Sequence, residues 1–158
     1  VSPYGLSQRT GLSYRQAEAF IKEYFELYPH VREYLTKTVA FAKTHGHVRT
    51  LFGRKREVPQ LRSSDSSVRQ EGERIAVNTP IQGTAADIMK LAMIAVHRFL
   101  KEKGLRTKMI LQVHDELVFE VPNEEAELVT KKVKEIMETV VKLSVPLKVD
   151  VKLSEHWE

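Results

Sequence analysis

The sequence predicts an α+β fold in which helices come first and an antiparallel sheet packed by helices follows. Three observations predict it. Apolar residues recur at helical spacing through most of residues 13–103, the pattern of amphipathic helices. The apolar period then changes to two over residues 107–121, which is typical of strands. After one more helical stretch, strict alternation returns over residues 147–153 and predicts a last, half-buried strand.

The composition is ordinary for a globular domain and excludes several classes of protein. Of the 158 residues, 42% are hydrophobic and 29% are charged. No apolar run approaches the roughly 18 residues of a membrane-spanning helix, and no leader sequence is visible, so we expect a cytoplasmic protein with no membrane partner. The absence of cysteine excludes disulfides and thiolate metal sites. Abundant Lys and Glu without Cys also suits a thermophile protein.

Two helices are predicted in the first 46 residues. Ser13 and Gln16 form a capping-box pattern that starts the first helix, and Pro29 ends it. The second helix stops near Gly46, a residue type that often follows a helix. The apolar positions of the two helices are Ala17, Phe20, Ile21, Tyr24 and Tyr28, then Val31, Leu35, Val39 and Ala42.

A short hairpin is predicted next, with one strand over residues 48–52 and the other over 57–58. This is the basic end of a chain whose net charge is +4. Its charged residues are Arg49, Arg54, Lys55, Arg56 and Arg62, against the single acid Glu57. A nucleic-acid contact and a solvated hairpin tip are both compatible with this clustering.

Two more helices are predicted around Pro80. Ser67 and Gln70 repeat the capping-box pattern and start a helix that reaches about Val77. Pro80 is expected to break or kink the chain. A second helix is predicted from about residue 81 to 103, and Gly104 closes it. Its apolar residues cover a wide arc, which predicts a central, buried position.

From Ile81 onward the predicted order of elements is α-β-β-α-β. This is the ferredoxin-like arrangement with its first strand missing. The sheet should be antiparallel at its hairpin, with both helices on one face. We therefore expect that a strand belonging at the centre of this sheet lies upstream of Val1 or has been lost. The open edge is therefore expected to pair readily with another chain.

The most informative segment is the predicted turn between the two central strands, where His114, Asp115 and Glu116 follow one another. Carboxylates at the rim of a sheet suit Mg²⁺, which is bound through one or two carboxylates together with substrate phosphates. Neighbours along a strand point to opposite faces, so Asp115 and Glu116 need not reach the same ion. An aspartate that serves only the turn geometry is the alternative.

A second polar segment surrounds Pro80. Arg74 and Asn78 are four residues apart and share a helix face, and Gln82 follows beyond the proline. These side-chain types contact base edges and phosphates. Small residues at 83, 85 and 86 permit close approach of nucleic acid, although helix packing is the alternative explanation for them.

Together the two segments resemble family-A DNA polymerases, the bacterial DNA polymerase I group. The matching residues are Arg74, Asn78, Pro80, Gln82-Gly83-Thr84-Ala85-Ala86-Asp87 and, further on, Gln112-Val113-His114-Asp115-Glu116. Residues 14–29 and 50–59 also look like that family, so the resemblance covers essentially the whole chain in order.

The resemblance implies part of a hand-shaped enzyme that copies primer–template DNA with dNTPs and two Mg²⁺ ions, in DNA replication and repair. Residues 1–62 would be fingers-derived helices and a basic hairpin, and residues 63–158 the palm portion with the catalytic hairpin. Asp115 would bind metal, with Glu116 as its acidic catalytic neighbour. The implied DNA-binding residues are Gln112 and His114 at the primer terminus, Arg74, Asn78 and Gln82 along the minor groove and template, and Arg54 near the template path.

Two family motifs are not found in the sequence. One is the D-Y-S-Q-x-E motif, which carries the family's other metal-binding aspartate. The other is the fingers helix with its R-x-x-x-K pattern and terminal Y-G. The resemblance implies that Val1 begins just past that Y-G. The upstream part of the polymerase is therefore an expected partner, and the chain alone is expected to be inactive. A non-catalytic nucleic-acid-binding module and a small metal-dependent phosphohydrolase are the alternatives.

Overall fold

The computed structural model describes residues 2–156. Val1, where the resemblance places the start of the chain, lies outside them. Between Pro80 and Ile81 the chain divides into two compact units, each with its own small core. The assignment of residues 1–62 to the fingers and of residues 63–158 to the palm stays a prediction. Among the described residues, no helix is both long enough and apolar enough to cross a membrane.

The first unit begins with a helix that the sequence analysis missed, α1 (Pro3–Thr10). The Ser2 hydroxyl accepts a hydrogen bond from the Gly5 N–H at 3.1 Å, and Pro3 occupies the first turn, where its missing N–H is not needed. Gly11 ends the helix with a φ of 73°. Two turns are too few to show an apolar period, but the Ser-Pro start was a readable signal.

Helices α2 (Tyr14–Leu27) and α3 (Pro29–His45) confirm the two predicted helices. The capping box between Ser13 and Gln16 is complete in both directions. Gly46 ends α3 at a φ of 74°, and its N–H donates to the Ala42 carbonyl. The apolar face of α2 is largely uncovered, since Ala17 is its buried residue and Phe20 is 57% exposed.

Strands β1 (His47–Arg49) and β2 (Lys55–Glu57) form the predicted antiparallel hairpin with a longer loop. Lys55 and Arg56, expected in the turn, lie in β2. The Gly53 N–H donates to the Thr50 carbonyl at 2.9 Å, and the φ of Gly53 is 84°, a conformation that favours glycine. A short 3₁₀ turn, Pro59–Arg62, follows. The core of this unit is Ala42, Val48, Val58, Leu61 and Ala76.

Helix α4 (Ser66–Glu102) corrects the prediction of two helices separated at Pro80. It contains Pro80 in its interior. The proline removes one N–H donor locally, while the helix on either side packs against its own core and is stabilised there.

The start of α4 also differs from the prediction. Asp65, not Ser67, supplies the cap, because an Asp65 carboxylate oxygen accepts from the Ser67 N–H at 2.7 Å and from its hydroxyl at 2.8 Å. These bonds hold the pKa of Asp65 below its usual value, with the Ser67 hydroxyl as the largest cause. Asp and Ser are equally favoured caps, so sequence preference alone did not separate them.

The second unit packs the C-terminal part of α4 against a hairpin and a last helix, α5 (Ala126–Thr139). Its core contains Val96, Leu100, Val129 and Val133. Gly104 ends α4 as predicted, at a φ of 62°. The Gly104 and Leu105 N–H groups donate to the Lys101 and Leu100 carbonyls, which is the Schellman arrangement.

Strands β3 (Lys108–Val113) and β4 (Glu116–Glu120) pair in antiparallel fashion and confirm the predicted central hairpin. Phe119 and Val121 pack against the core below the hairpin. The register slips between Met109 and Leu111, which leaves Ile110 as an extra residue in β3. This bulge was not predicted.

The expected last strand over residues 147–153 does not form. The Val149 N–H instead donates to the Glu138 carboxylate at 3.0 Å, and Leu153 is largely exposed. A strand requires a neighbour to accept its backbone hydrogen bonds, and among the described residues the sheet at this end contains β3 and β4 alone. The ferredoxin-like description is therefore not confirmed, whereas the mixture of helices and antiparallel hairpins is.

Candidate functional site

The turn between β3 and β4 presents two carboxylates to solvent. Val113 and Glu116 are the closing pair of the hairpin, so His114 and Asp115 are its two loop residues. His114 has a φ of 51° and is the non-glycine residue with a positive φ among residues 2–156. Asp115 and Glu116 are both exposed. The local fold therefore places acidic oxygen donors at an accessible edge of the second unit.

The side chain of Gln112 is attached to this turn. Its amide nitrogen donates a hydrogen bond to the His114 carbonyl oxygen at 2.6 Å. A carbonyl can only accept, so the contact fixes the orientation of the amide, with the NH₂ group toward the turn. The sequence prediction assigned Gln112 to the primer terminus, and this contact within the chain was not foreseen.

The bulge in β3 determines where Gln112 lies. Side chains alternate between the two faces of a strand, so one extra residue reverses the assignment of every residue after it. Beyond Ile110, Gln112 lies opposite Leu117. Bulges are common next to functional sites, where they redirect a side chain.

The base of the same hairpin is held by a carboxylate that the sequence analysis did not single out, Glu125. Its oxygens accept from the Arg106 N–H at 2.8 Å, the Thr107 N–H at 2.9 Å and the Thr107 hydroxyl at 2.6 Å. The Thr107 hydroxyl is the largest cause that holds the pKa of Glu125 below its usual value. Since the partners are 18 and 19 residues apart in the chain, no local sequence signal could have revealed the contact.

In the first unit, Arg74 and Asn78 lie one helical turn apart on the solvent side of α4. The opposite side of this stretch packs into the core through Ala76, which is fully buried. Gly72 lies close to the chain at Leu61, so that an added Cβ would be 3.0 Å from the Leu61 nitrogen. The alternation of small and polar residues thus leaves Arg74 and Asn78 exposed, as a nucleic-acid contact requires.

The remaining predicted binding residues are also exposed. Gln82 lies in α4 beyond Pro80 and belongs to the second unit. Arg54 lies in the β1–β2 hairpin, where its N–H donates to the Thr50 hydroxyl at 3.2 Å. Across that hairpin Arg49 is directly opposite Lys55, a pairing of like charges that Glu57 relieves through an ion pair with Lys55 at 2.6 Å.

The structure therefore brings together four of the predicted residues on one element. Gln112, His114, Asp115 and Glu116 share one hairpin. Arg54, Arg74 and Asn78 belong to the first unit. Within residues 2–156, no group of three or more His, Asp or Glu side chains is placed to hold a metal ion.

Comparison with known proteins decides the family. The sequence profile of DNA polymerase family A matches residues 1–158. The chain belongs to DNA polymerase family A. This confirms the resemblance carried by the segments around Arg74 and Asp115.

Relatives within family A match the chain over nearly its whole length. DNA polymerase I of Caldicellulosiruptor bescii is 52% identical over 157 residues, which are 99% of this chain and 18% of that protein. The thermostable DNA polymerase I of Thermus aquaticus is 50% identical, again over 99% of this chain, and 19% of that protein is covered. The chain thus spans about a fifth of the length of the curated family-A relatives that it matches.

A solved family-A structure shares the fold. It is the POL domain of Pol1 from M. smegmatis in complex with DNA primer-template and dNTP. The TM-score is 0.87 and the identity 44%, over 94% of this chain and 26% of that one.

Proposed function

We propose that this chain is the palm portion, with part of the fingers, of a DNA-directed DNA polymerase, and that Asp115 is a catalytic carboxylate. The observation that carries the proposal is the exposed position of Asp115 in a tight hairpin turn of a family-A chain. The primer-template and dNTP named for the M. smegmatis structure supply the substrate classes.

The donors at the turn fit Mg²⁺ in chemical type. Asp115 and Glu116 offer carboxylate oxygens, and Mg²⁺ in phosphoryl-transfer sites is held by one or two carboxylates together with substrate phosphates. Asp115 would hold the ion, with Glu116 as the secondary donor. When bound, Mg²⁺ lowers the pKa of an attacking hydroxyl and neutralises charge on the phosphates. The described residues contain no larger cluster of acidic or histidine side chains, so further donors would come from the substrate and from the rest of the polymerase.

In the proposed reaction the primer 3′-hydroxyl attacks the α-phosphate of a dNTP, and pyrophosphate leaves. The residues of this chain would mainly position the reactants. His114 lies at the turn beside Asp115 and would contact the primer end. Arg74, Asn78 and Gln82 would contact the minor groove and template strand, and Arg54 the template path.

The proposal also retains the assignment of residues 1–62 to the fingers and 63–158 to the palm, in a cytoplasmic enzyme of replication and repair. The remainder of the polymerase is the proposed protein partner. By itself the chain is proposed to extend no primer, because its exposed carboxylates at the turn form only part of a two-metal site.

The test is reconstitution of primer extension from two parts. The chain is mixed with a separately expressed upstream part of a family-A polymerase, and Mg²⁺-dependent extension of a labelled primer is measured. Extension is expected from the mixture and from neither part alone. Asp115→Ala should lower the rate about a hundredfold or more, whereas Asp150→Ala, an exposed aspartate outside the proposed site, should not.

Two outcomes would contradict the proposal. Robust extension by the chain alone would show that no upstream part is needed, and full activity of the Asp115→Ala mixture would remove Asp115 from catalysis. Tight, salt-dependent binding of primer–template by the chain alone, without extension in the mixture, would instead favour a binding module.

A further inference from the structure

We propose that Gln112 is a positioning residue that holds the His114–Asp115 turn in the conformation that aims the Asp115 carboxylate. The inference rests on the proposed function for the role of Asp115, but its structural part stands on contacts within the hairpin. It also differs from the expected role of Gln112, which was direct contact with the primer.

His114 adopts a backbone conformation that is unusual for a residue with a side chain. Its φ of 51° lies in the left-handed region, which an L-residue with a Cβ adopts at a cost in free energy. Two-residue hairpin turns require a positive φ at the first loop residue and usually place glycine or asparagine there, so a histidine at this position depends on surrounding contacts to maintain it. Glycine, which adopts this conformation freely, is absent from the turn.

The Gln112 side chain supplies the contact that maintains this conformation of His114. The Gln112 amide donates to the His114 carbonyl at 2.6 Å. That carbonyl belongs to the planar peptide group joining His114 to Asp115. A bond to the carbonyl therefore fixes the plane from which the Asp115 backbone and side chain extend. No other side chain of the described hairpin makes a hydrogen bond to this turn.

The bulge at Ile110 places the Gln112 side chain on the face of the hairpin where it can make this bond. Without the extra residue, alternation along β3 would place the Gln112 side chain on the opposite face of the hairpin. The bulge thus selects the face of the hairpin on which Gln112 lies, and Gln112 makes the hydrogen bond to the His114 carbonyl. The second amide N–H and the carbonyl oxygen of Gln112 are left for other contacts.

The experiment compares Gln112→Met with the parent chain by NMR. Methionine keeps the length of the side chain and removes the donor. In the parent, His114 should show the strong intraresidue HN–Hα NOE of a positive φ, and Gln112→Met should weaken or abolish it. Added Mn²⁺ should broaden the Asp115 and Glu116 amide signals in the parent, at a concentration about tenfold or more below that needed in the variant.

Two controls separate positioning from general damage. Gln70→Met, an exposed glutamine of α4, should leave both signals as in the parent. The double variant Gln112→Met with His114→Gly should recover the Mn²⁺ broadening at Asp115, because glycine adopts the turn conformation without support. A folding defect caused by Gln112→Met would not be repaired by a glycine in the turn.

The outcomes distinguish this inference from the proposed function. An unchanged His114 NOE in Gln112→Met, or the same Mn²⁺ response as the parent, would overturn the positioning role. If the parent itself shows no Mn²⁺ broadening that Asp115→Ala removes, the metal role of Asp115 fails, and the His114 NOE still decides whether Gln112 holds the turn.

Discussion

At the scale of single residues, short contacts between side chains and backbone set the local geometry. Ser13 and Gln16 cap one helix, Asp65 caps another, and Gln112 reaches the turn that carries Asp115. Each contact satisfies a backbone group that would otherwise lack a partner. Substitutions at two residues with no assigned function, Gly72 and Glu125, test how much local contacts contribute to stability.

Gly72→Ala should destabilise the protein, against the usual trend for a helix. Alanine normally favours a helix by about 1 kcal/mol over glycine. Here the added Cβ would lie 3.0 Å from the Leu61 nitrogen and from the Gln60 Cβ, and overpacking of this kind costs about 1–3 kcal/mol. We expect a net loss of about 1 kcal/mol in the free energy of unfolding, measured with urea.

The matched control is Gly5→Ala in α1, where the nearest atom to the added Cβ is the Ser2 hydroxyl oxygen at 3.3 Å. The Ser2 hydroxyl caps α1 through the Gly5 N–H, but a side-chain oxygen at this distance needs to shift by only a few tenths of an ångström, so the control should cost less than Gly72→Ala. Equal changes in the free energy of unfolding for Gly72→Ala and Gly5→Ala would show that the close approach of α4 to Leu61 leaves room for an added Cβ.

Glu125→Gln should lower the free energy of unfolding at neutral pH, and should lower it by less in acid. Folding depresses the pKa of this carboxyl, chiefly through the Thr107 hydroxyl and the Arg106 N–H. A depressed pKa stabilises the folded state above the unfolded value, near 4.5, and that contribution is lost as the pH falls through the folded value. The difference in unfolding free energy between variant and parent should therefore narrow below about pH 4.5.

The comparison uses chemical denaturation from pH 7 to pH 3. Glu127→Gln removes an exposed carboxyl in the first turn of α5 and serves as the matched control for the loss of one charge. A Glu125→Gln difference that is constant across this range would mean that the ionised carboxylate is not what holds Thr107.

At the scale of elements, α4 is the main departure from expectation. Its 37 residues run through Pro80, although an interior proline ordinarily ends or bends a helix. The helix on each side is amphipathic and packs against a core, and this packing outweighs one missing hydrogen bond.

Pro80→Ala should stabilise the chain, because it supplies the missing N–H and removes the ring. Proline in a helix interior is about 3 kcal/mol less favourable than alanine, and its restriction of the unfolded chain returns up to about 1 kcal/mol. We expect an increase of about 2–3 kcal/mol in the free energy of unfolding, measured by thermal and urea denaturation.

Pro29→Ala is the control, since Pro29 occupies the first turn of α3, where no N–H bond is lost. It should be neutral or slightly destabilising. A destabilising Pro80→Ala would indicate that the local geometry at the proline is itself required by packing.

At the scale of the whole molecule, much apolar surface lies open in the described part of the chain. Leu27, Phe20 and Ile110 are more than half exposed, and α2 turns much of its apolar face to solvent. Exposed patches of this kind commonly mark protein interfaces. Since the chain spans about a fifth of its curated relatives, the rest of the polymerase is the proposed cover.

Without that cover, the isolated chain should self-associate through the β3–β4 sheet, which among residues 2–156 has two strands and no further strand at either edge. Ile110→Lys places a charge on β3 and should reduce the concentration-dependent increase in mass seen by light scattering. Leu27→Lys, an equally large change on α2, is the control and should reduce it less. A larger reduction by Leu27→Lys than by Ile110→Lys would assign self-association to α2 and not to the sheet.

The sequence by itself determined those features whose causes are local. Capping residues and apolar periods predicted α2, α3 and α5, alternation predicted the β3–β4 hairpin, and the segments around Arg74 and Asp115 led to the family. Each of these depends on residues within a few positions of one another, where propensity and pattern agree.

Only the tertiary structure decided the features that depend on distant partners. The continuity of α4 through Pro80 depends on packing along the whole helix, and residues 147–153, although their pattern alternates, join no sheet among the described residues. The bulge at Ile110 and the bond from Gln112 to His114 depend on how two strands align. A pattern in one segment specifies which face it can bury, whereas its neighbours determine whether and in what register it does so.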